Sequence, residues 1–184
     1  MSLANPSDFQ GILQRCFDNT NNALRVTSAA ESQFYGPEGI ALIAGARTLV
    51  VTNDVPRLAL VDAATTTFGT SFLLPNYWTA ADFGFFYTSS ATAAGNYRWR
   101  IAVKKSALFI DNITEAFLVD NSVTLDAPDQ GIVTQEIQPV DNLNASPDVF
   151  GTLFTCIVSR IGGDAADTCT ATAELIGIYA RRNA

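Results

Sequence analysis

The groups that could do chemistry in this sequence are mainly carboxylates, because the chain contains no histidine. Histidine is the commonest general base and the commonest protein ligand for transition metals. Its absence excludes Ser–His–acid and Cys–His mechanisms within this chain. A pair of carboxylates suited to glycoside hydrolysis stays formally open. These carboxylates lie in or beside predicted turns and strand ends, where a carboxylate often caps a turn or is simply solvated. The candidates are Asp54, Asp62, Asp82, Glu115, Asp120 and Glu136.

No motif indicates a metal or phosphate site. The three cysteines, Cys16, Cys156 and Cys169, have no CxxC spacing and no histidine partners, so a zinc site is not expected. Asp164 and Asp167 lack the spacing of an EF-hand loop, and turn formation accounts for both. The glycines do not lie in a GxxxxGK[ST] or GxGxxG frame. We therefore predict no catalytic residue, no cofactor-binding residue, no metal ligand and no cofactor, which means that the protein is not an enzyme.

The pairing of Cys156 and Cys169 stays open. A two-residue turn at Gly162-Gly163 would place the two thiols opposite each other in a hairpin. A longer connection through Asp167-Thr168 would break that register. Reduced, half-buried thiols are the expectation for a cytosolic product.

One aromatic pair, Tyr77 and Trp78, is a candidate contact for a sugar, because aromatic rings stack on the apolar faces of sugars. The pair follows Pro75-Asn76, a turn signal that favours exposure. Core packing or a subunit contact competes with this role, since tryptophans usually anchor the core of a β protein.

Composition narrows the classes of partner. The net charge of −7 and a pI near 4.4 exclude a basic footprint for nucleic acid. No apolar run approaches the roughly 20 residues of a transmembrane helix, and the first residues lack a secretory signal pattern. We therefore expect a soluble protein made in a cytosol, with no nucleic-acid or membrane partner. Only 16% of residues are charged, which indicates either a surface partly covered by neighbours or an ordinary Ser/Thr/Asn-rich surface.

The N-terminal segment is predicted to be an amphipathic helical arm. Ser7 or Asp8 can cap a helix over Ser7–Leu24, and Asn22–Ser28 is a predicted entry strand. Four apolar residues of the arm repeat at helical spacing and are possible assembly contacts with another chain: Phe9, Ile12, Leu13 and Phe17. Residues 1–28 therefore form an arm and entry strand that precede the main domain.

Residues 29–184 are predicted to form one all-β domain. In Tyr97–Val103, apolar residues alternate with Arg98, Arg100 and Ala102, the pattern of a strand with one buried face. Short strands at this spacing favour an antiparallel β-sandwich or jelly roll. The ten predicted strands are Ile40–Ala44, Thr48–Thr52, Leu58–Val61, Thr66–Leu74, Phe83–Thr88, Tyr97–Val103, Glu115–Leu125, Ile132–Val140, Phe150–Arg160 and Thr170–Arg181. The last two flank a Gly/Asp-rich connection and are predicted to form a closing hairpin that ends inside a sheet.

Three groups of residues give the chain a resemblance to the virion β-sandwich proteins of tailed bacteriophages, most of all to capsid cement or decoration proteins. They are Ile12–Asp18 with Asn22–Val26, Asn96–Val103, and Ser159-Arg160-Ile161 with Asp167-Thr168-Cys169 leading into Ala173–Tyr179. The resemblance implies a structural protein of the capsid surface, made in the host cytoplasm, that binds the major capsid protein as a homotrimer. The alternative is a tail or head-fibre module that recognises host surface glycans. A carboxylate-only polysaccharide hydrolase is the third hypothesis.

Overall fold

The computed structural model describes residues 17–18, 23–24, 32–52, 54–75, 78–106, 117–141, 143 and 152–183. Internal contacts divide the chain into two units, Met1–Gln33 and Phe34–Ala184. Among the described residues, no helix is long and apolar enough to cross a membrane.

The described part of the first unit includes a pair of short antiparallel strands, β1 (Phe17–Asp18) and β2 (Ala23–Leu24). The predicted helix over Ser7–Leu24 is therefore wrong at its C-terminal end, where Phe17–Asp18 and Ala23–Leu24 are extended. β2 lies within the range of the predicted entry strand, Asn22–Ser28. The rest of the predicted arm, with Phe9, Ile12 and Leu13, lies outside the described residues.

The remaining strands carry the fold. They are β3 (Ser32–Tyr35), β4 (Ala41–Ala44), β5 (Thr48–Thr52), β6 (Val55–Leu60), β7 (Thr65–Leu74), β8 (Ala81–Ser89), β9 (Asn96–Ser106), β10 (Phe117–Asp126), β11 (Thr134–Val140), β12 (Thr152–Ile161) and β13 (Ala173–Arg182). A 3-10 turn at Pro37–Gly39 separates β3 from β4. Each of the ten predicted strands overlaps one of β4 to β13, although most of the bounds differ.

Two antiparallel sheets form a jelly-roll β-sandwich, which confirms the predicted fold class. The five-stranded sheet has the order β10-β9-β12-β7-β4. The six-stranded sheet has the order β11-β8-β13-β6-β5, and β3 also pairs with β13. The connection from β8 to β9 passes from one sheet to the other.

Aromatic side chains fill the space between the sheets. Trp99 on β9 contacts Phe85 and Tyr87 on β8, with ring centroids 4.7 Å and 5.0 Å apart. All three rings are buried. Burial of each such side chain contributes roughly 1.5–3 kcal/mol. The alternation predicted for Tyr97–Val103 is confirmed, since its alternate residues Tyr97, Trp99, Ile101 and Val103 all belong to this core.

The predicted closing hairpin is wrong, because β12 and β13 belong to different sheets. β12 pairs with β7 and β9, whereas β13 pairs with β8 and β6. The chain between the two strands crosses the end of the sandwich. It is held by Arg160, whose guanidinium donates to both carboxylate oxygens of Asp167 at 2.9 Å and 2.7 Å. The last strand does lie inside its sheet, as predicted. Cys156 and Cys169 are both buried and free, so they form no bridge.

Candidate functional site

The predicted sugar contact at Tyr77 and Trp78 is wrong for Trp78. A hydrogen bond of 3.0 Å from the Trp78 amide to the Pro75 carbonyl closes the turn. The indole is only 1% exposed and belongs to the hydrophobic core. Asn76 and Tyr77 lie outside the described residues. The hydrogen bond agrees with the turn that Pro75 predicts, but a turn does not determine whether the Trp78 ring points to solvent or to the core.

Three of the candidate carboxylates form ion pairs with three different arginines. Asp62 lies 3.4 Å from Arg160, Asp82 lies 2.7 Å from Arg181, and Asp120 pairs with Arg100 through both oxygens at 2.6 Å and 2.7 Å. The hydrogen bond from Arg100 lowers the pKa of Asp120. Each pair links neighbouring parts of the fold, which indicates a structural use for these acids.

Asp54 and Glu136 form no ion pair with another described residue. Asp54 occupies a turn at φ 63°, where its short polar side chain tolerates the left-handed region. Burial raises the pKa of Glu136 on β11. Glu115 lies outside the described residues. Within the described ranges, no group of three or more Cys, Asp or Glu side chains is placed to hold a metal ion.

A different set of side chains, Phe34, Phe86 and Tyr179, forms an aromatic platform on the outer face of the six-stranded sheet. Phe83 and Phe85 of β8 point into the core, so the alternate residue Phe86 points outward. On β13, a register shift between Leu175 and Gly177 places Gly177 opposite Phe86 and Tyr179 opposite Gly84. The bulge thus directs the Tyr179 ring to the outer face.

Two glycines allow the rings of the aromatic platform to lie directly over the sheet. A Cβ atom at Gly84 would lie 2.5 Å from the Tyr179 hydroxyl, and one at Gly177 would overlap the Phe34 ring. Phe86 lies between the other two rings, with centroid distances of 6.1 Å to Phe34 and 5.0 Å to Tyr179. Phe34 is 54% exposed and Phe86 is partly exposed, so these two rings give the platform an open apolar surface, whereas the Tyr179 ring is nearly covered.

Polar groups border one side of the aromatic platform. The Asp82 carboxylate accepts hydrogen bonds from Arg181 at 2.7 Å and from Asn183 at 3.1 Å. Tyr179 is only 7% exposed, and its hydroxyl has no hydrogen-bond partner. Burial raises the pKa of this phenol, so it stays neutral and can both donate and accept a hydrogen bond.

Further polar atoms on the same outer face also lack partners. Arg57 on β6 forms a buried ion pair of 2.7 Å with Glu174 on β13. Arg57 Nε and Thr88 Oγ1 are buried without a hydrogen bond. Buried polar groups are nearly always satisfied, so unsatisfied ones indicate a place for an ordered buried water. With the Tyr179 hydroxyl, this face holds three such atoms.

The outer face of the five-stranded sheet is a weaker candidate. It carries an open groove of about 290 Å³ lined by Gly39, Ala41, Ile43, Gly69, Thr70, Ser71 and Thr155. The hydroxyls of Ser71 and Thr155 already bond each other at 3.0 Å, and Thr70 donates to the Gly39 carbonyl at 3.1 Å. The lining contains no aromatic ring on which a ligand could stack.

The sequence analysis missed the aromatic platform because its three rings lie on strands far apart in the chain. A signal was present in the two interior glycines, Gly84 within Phe-Gly-Phe and Gly177 within Ile-Gly-Ile. A glycine inside a strand often marks a bulge or the close approach of another group.

No protein-family model and no curated protein matches this sequence. Among solved structures, an arabinose-bound α-L-arabinofuranosidase is similar, with a TM-score of 0.51 and 11% identity over 78% of this chain and 23% of the enzyme. The chain thus spans about a quarter of that enzyme's length.

Two carbohydrate-binding modules are also similar. One, from a multidomain xylanase of the hindgut metagenome of Trinervitermes trinervoides, has a TM-score of 0.48 and 10% identity over 83% of this chain and 98% of the module. The other, the C-terminal module of a marine laminarinase from Zobellia galactanivorans, has a TM-score of 0.46 and 10% identity over 82% and 98%. At these identities, what is shared is the β-sandwich fold.

Proposed function

We propose that this protein is a non-catalytic β-sandwich module that binds a cell-surface glycan on the outer face of its six-stranded sheet. The observation that carries the proposal is the aromatic platform of Phe34, Phe86 and Tyr179, laid over Gly84 and Gly177. A sugar ring has one apolar face of C–H groups and a rim of hydroxyls. The platform matches the apolar face by stacking.

The polar atoms around the aromatic platform match the hydroxyl rim. The Asp82 carboxylate and the half-exposed Arg181 guanidinium supply an acceptor and donors at the side of the platform. Ligand sites generally combine an apolar surface with a few polar groups that fix orientation. In this proposal the protein binds the glycan and leaves its glycosidic bonds intact.

The test compares two exposed phenylalanines. Phe34→Ala removes the open ring of the aromatic platform, and Phe117→Ala removes an exposed ring on the five-stranded sheet, where it stacks under Lys104 at 4.3 Å. Binding to a panel of immobilised bacterial and plant polysaccharides is measured for the wild type and both variants. Loss of about 1.5–3 kcal/mol of ring burial weakens binding roughly 10- to 100-fold for Phe34→Ala.

Two results would overturn the glycan proposal. One is a wild-type protein that binds no polysaccharide of the panel. The other is equal weakening by Phe34→Ala and Phe117→Ala, because the platform would then contribute nothing specific. Circular dichroism of both variants checks that the β-sandwich is intact.

A second candidate is a capsid cement or decoration protein of a tailed phage that binds the major capsid protein as a homotrimer. The observation that favours it is an exposed apolar stretch along Ala41–Val51, which includes Leu42, Ile43 and Leu49. Such surfaces mark interaction sites. Binding only to the assembled shell would stabilise that state by mass action.

The test of this second candidate is co-sedimentation with isolated phage capsids, with and without residues 7–17. We expect the full chain to co-sediment and the deletion, which removes Phe9, Ile12, Leu13 and Phe17, to weaken the association. The unit Phe34–Ala184 should stay folded. A monomer that does not co-sediment with capsids refutes this candidate.

A further inference from the structure

The edge strand β5 (Thr48–Thr52) lacks the usual protection of a sheet edge. It pairs with β6 on one side, and no described strand pairs with its other side. Its sequence, Thr-Leu-Val-Val-Thr, contains no charge and no proline. Leu49 is exposed, and Val51 is 64% exposed. Such an edge offers free backbone donors and acceptors beside apolar side chains.

The other three end strands of the two large sheets, β10, β4 and β11, are protected. β10 carries Asp120 and Asp126, and β11 carries Glu136 and Pro139, which discourage pairing with another strand. β4 is short, and an irregularity between Leu42 and Ala44 interrupts its register. A bulge of this kind protects an edge. Among the four end strands of the two large sheets, β5 is thus the one left open to a partner.

We propose that β5 is the interface of a homodimer, in which it pairs antiparallel with β5 of a second copy about a two-fold axis at Val50. In this register Thr48 lies opposite Thr52 of the partner, Leu49 opposite Val51, and Val50 opposite itself. The strand is therefore self-complementary, as an isologous interface requires. The two six-stranded sheets become one continuous sheet.

Side-chain placement and charge both favour a second copy as the occupant. Leu49 and Val51 are alternate residues, so they share one face of the strand and form a single apolar cluster with their counterparts in the partner. A chain of net charge −7 repels a copy of itself over most of its surface, but β5 carries no charge. Arg57, which lies opposite Val50 on β6, is neutralised by Glu174 at 2.7 Å.

This arrangement contains two copies and cannot add a third, because the two-fold axis pairs the open β5 edge of one chain with the open β5 edge of the other. It therefore gives a dimer and not the trimer that the phage resemblance implies. The inference rests on the edge strand alone and is independent of the aromatic platform.

The test uses matched valines in the full-length chain. Val51→Lys places a charge on β5, whereas Val61→Lys changes a valine of similar exposure, 49%, just beyond β6. Sedimentation equilibrium should give twice the 19.7 kDa chain mass for the wild type and for Val61→Lys. The dissociation constant of the dimer should rise at least tenfold for Val51→Lys. A monomeric or trimeric wild type overturns the proposal, as does a dimer that Val51→Lys leaves unchanged.

A cross-link tests the register itself. Directly opposed residues of an antiparallel pair have Cβ atoms roughly 4.5–5.5 Å apart, within reach of a slightly adjusted disulfide. Val50→Cys should therefore form a covalent dimer under mild oxidation, while Val61→Cys should not. Equal cross-linking of the two variants would contradict the two-fold axis at Val50.

Discussion

Arg160 is expected to be the most costly single side chain to remove, because it joins the end of β12 to the crossing that precedes β13. Its side chain is fully buried and lies over the Tyr97 ring, 4.6 Å from the ring centroid. The guanidinium donates to both oxygens of Asp167 and to the carbonyls of Leu60 at 3.0 Å and Ala171 at 2.7 Å. Arg160→Met keeps an apolar stem of similar length and removes all of these donors.

The expected loss in the free energy of unfolding follows from the buried groups that lose their hydrogen-bond donor, the Asp167 carboxylate and the carbonyls of Leu60 and Ala171. Asp167 is itself fully buried and would keep only the hydrogen bond from the Arg98 amide at 3.1 Å. Removing one partner of a buried ion pair costs about 3–5 kcal/mol. Each buried carbonyl that loses its donor adds up to about 1–3 kcal/mol, and these terms overlap. We therefore expect a loss of about 4–5 kcal/mol, a large part of the 5–15 kcal/mol typical of a whole domain.

The assay is urea unfolding followed by tryptophan fluorescence, with Arg100→Met as the matched control. Arg100 also forms a two-oxygen ion pair, with Asp120, but both side chains are partly exposed, so its loss should cost at most about 1 kcal/mol. The double variant Arg160→Met, Asp167→Leu should recover part of the loss, because the unpaired carboxylate is gone. A loss below about 1 kcal/mol for Arg160→Met, or one equal to the control, would refute this reasoning.

Three further predictions concern titration and reactivity. Because burial raises the pKa of Glu136 in the folded protein, its stabilising contribution is complete at acidic pH and is lost as the pH rises through that pKa. Glu136→Gln should therefore increase the unfolding free energy at about pH 7 but not at about pH 3, and an equal effect at both would contradict the assignment. Burial, aided by the charges of Glu136 and Asp126, raises the pKa of Tyr87 to about 12, so stability should fall above the ordinary tyrosine pKa of about 10. Tyrosinate absorbance checks this, and ionisation of Tyr87 near its ordinary pKa in the native state would oppose it. Burial also raises the pKa of Cys156, so peptide mapping should find Cys156 and Cys169 unmodified by iodoacetamide until the protein unfolds; labelling of either in the native state would show that the core is open.

The strands were predictable because their signals are local. Alternation in Tyr97–Val103 reports one buried face, and turn residues mark where each strand stops. The pairing of β12 and β13 was not predictable in this way. A Gly/Asp-rich connection indicates a change of direction but not which sheet receives the next strand. Here the buried contact between Arg160 and Asp167 determines the crossing, and it depends on the assembled core.

The candidate site was less predictable than the fold. Tyr77-Trp78 was chosen because the two aromatics are adjacent in sequence, yet Trp78 turns into the core. The aromatic platform depends on the register shift beside Gly177, which moves the following residues of β13 to the opposite face. A single-residue shift of this kind leaves no periodic signal in the sequence. The two glycines inside strands, Gly84 and Gly177, are the sequence feature that indicates this shift.

The measurement that tests the central claim most directly is NMR chemical-shift mapping of the full chain, titrated with an oligosaccharide from a polysaccharide that it binds. Glycan binding by the aromatic platform predicts that the largest shifts cluster at Phe34, Phe86 and Tyr179 and at the flanking Asp82 and Arg181. Shifts confined to the groove around Ser71 and Thr155 on the five-stranded sheet, or no shifts at saturating oligosaccharide, would contradict it.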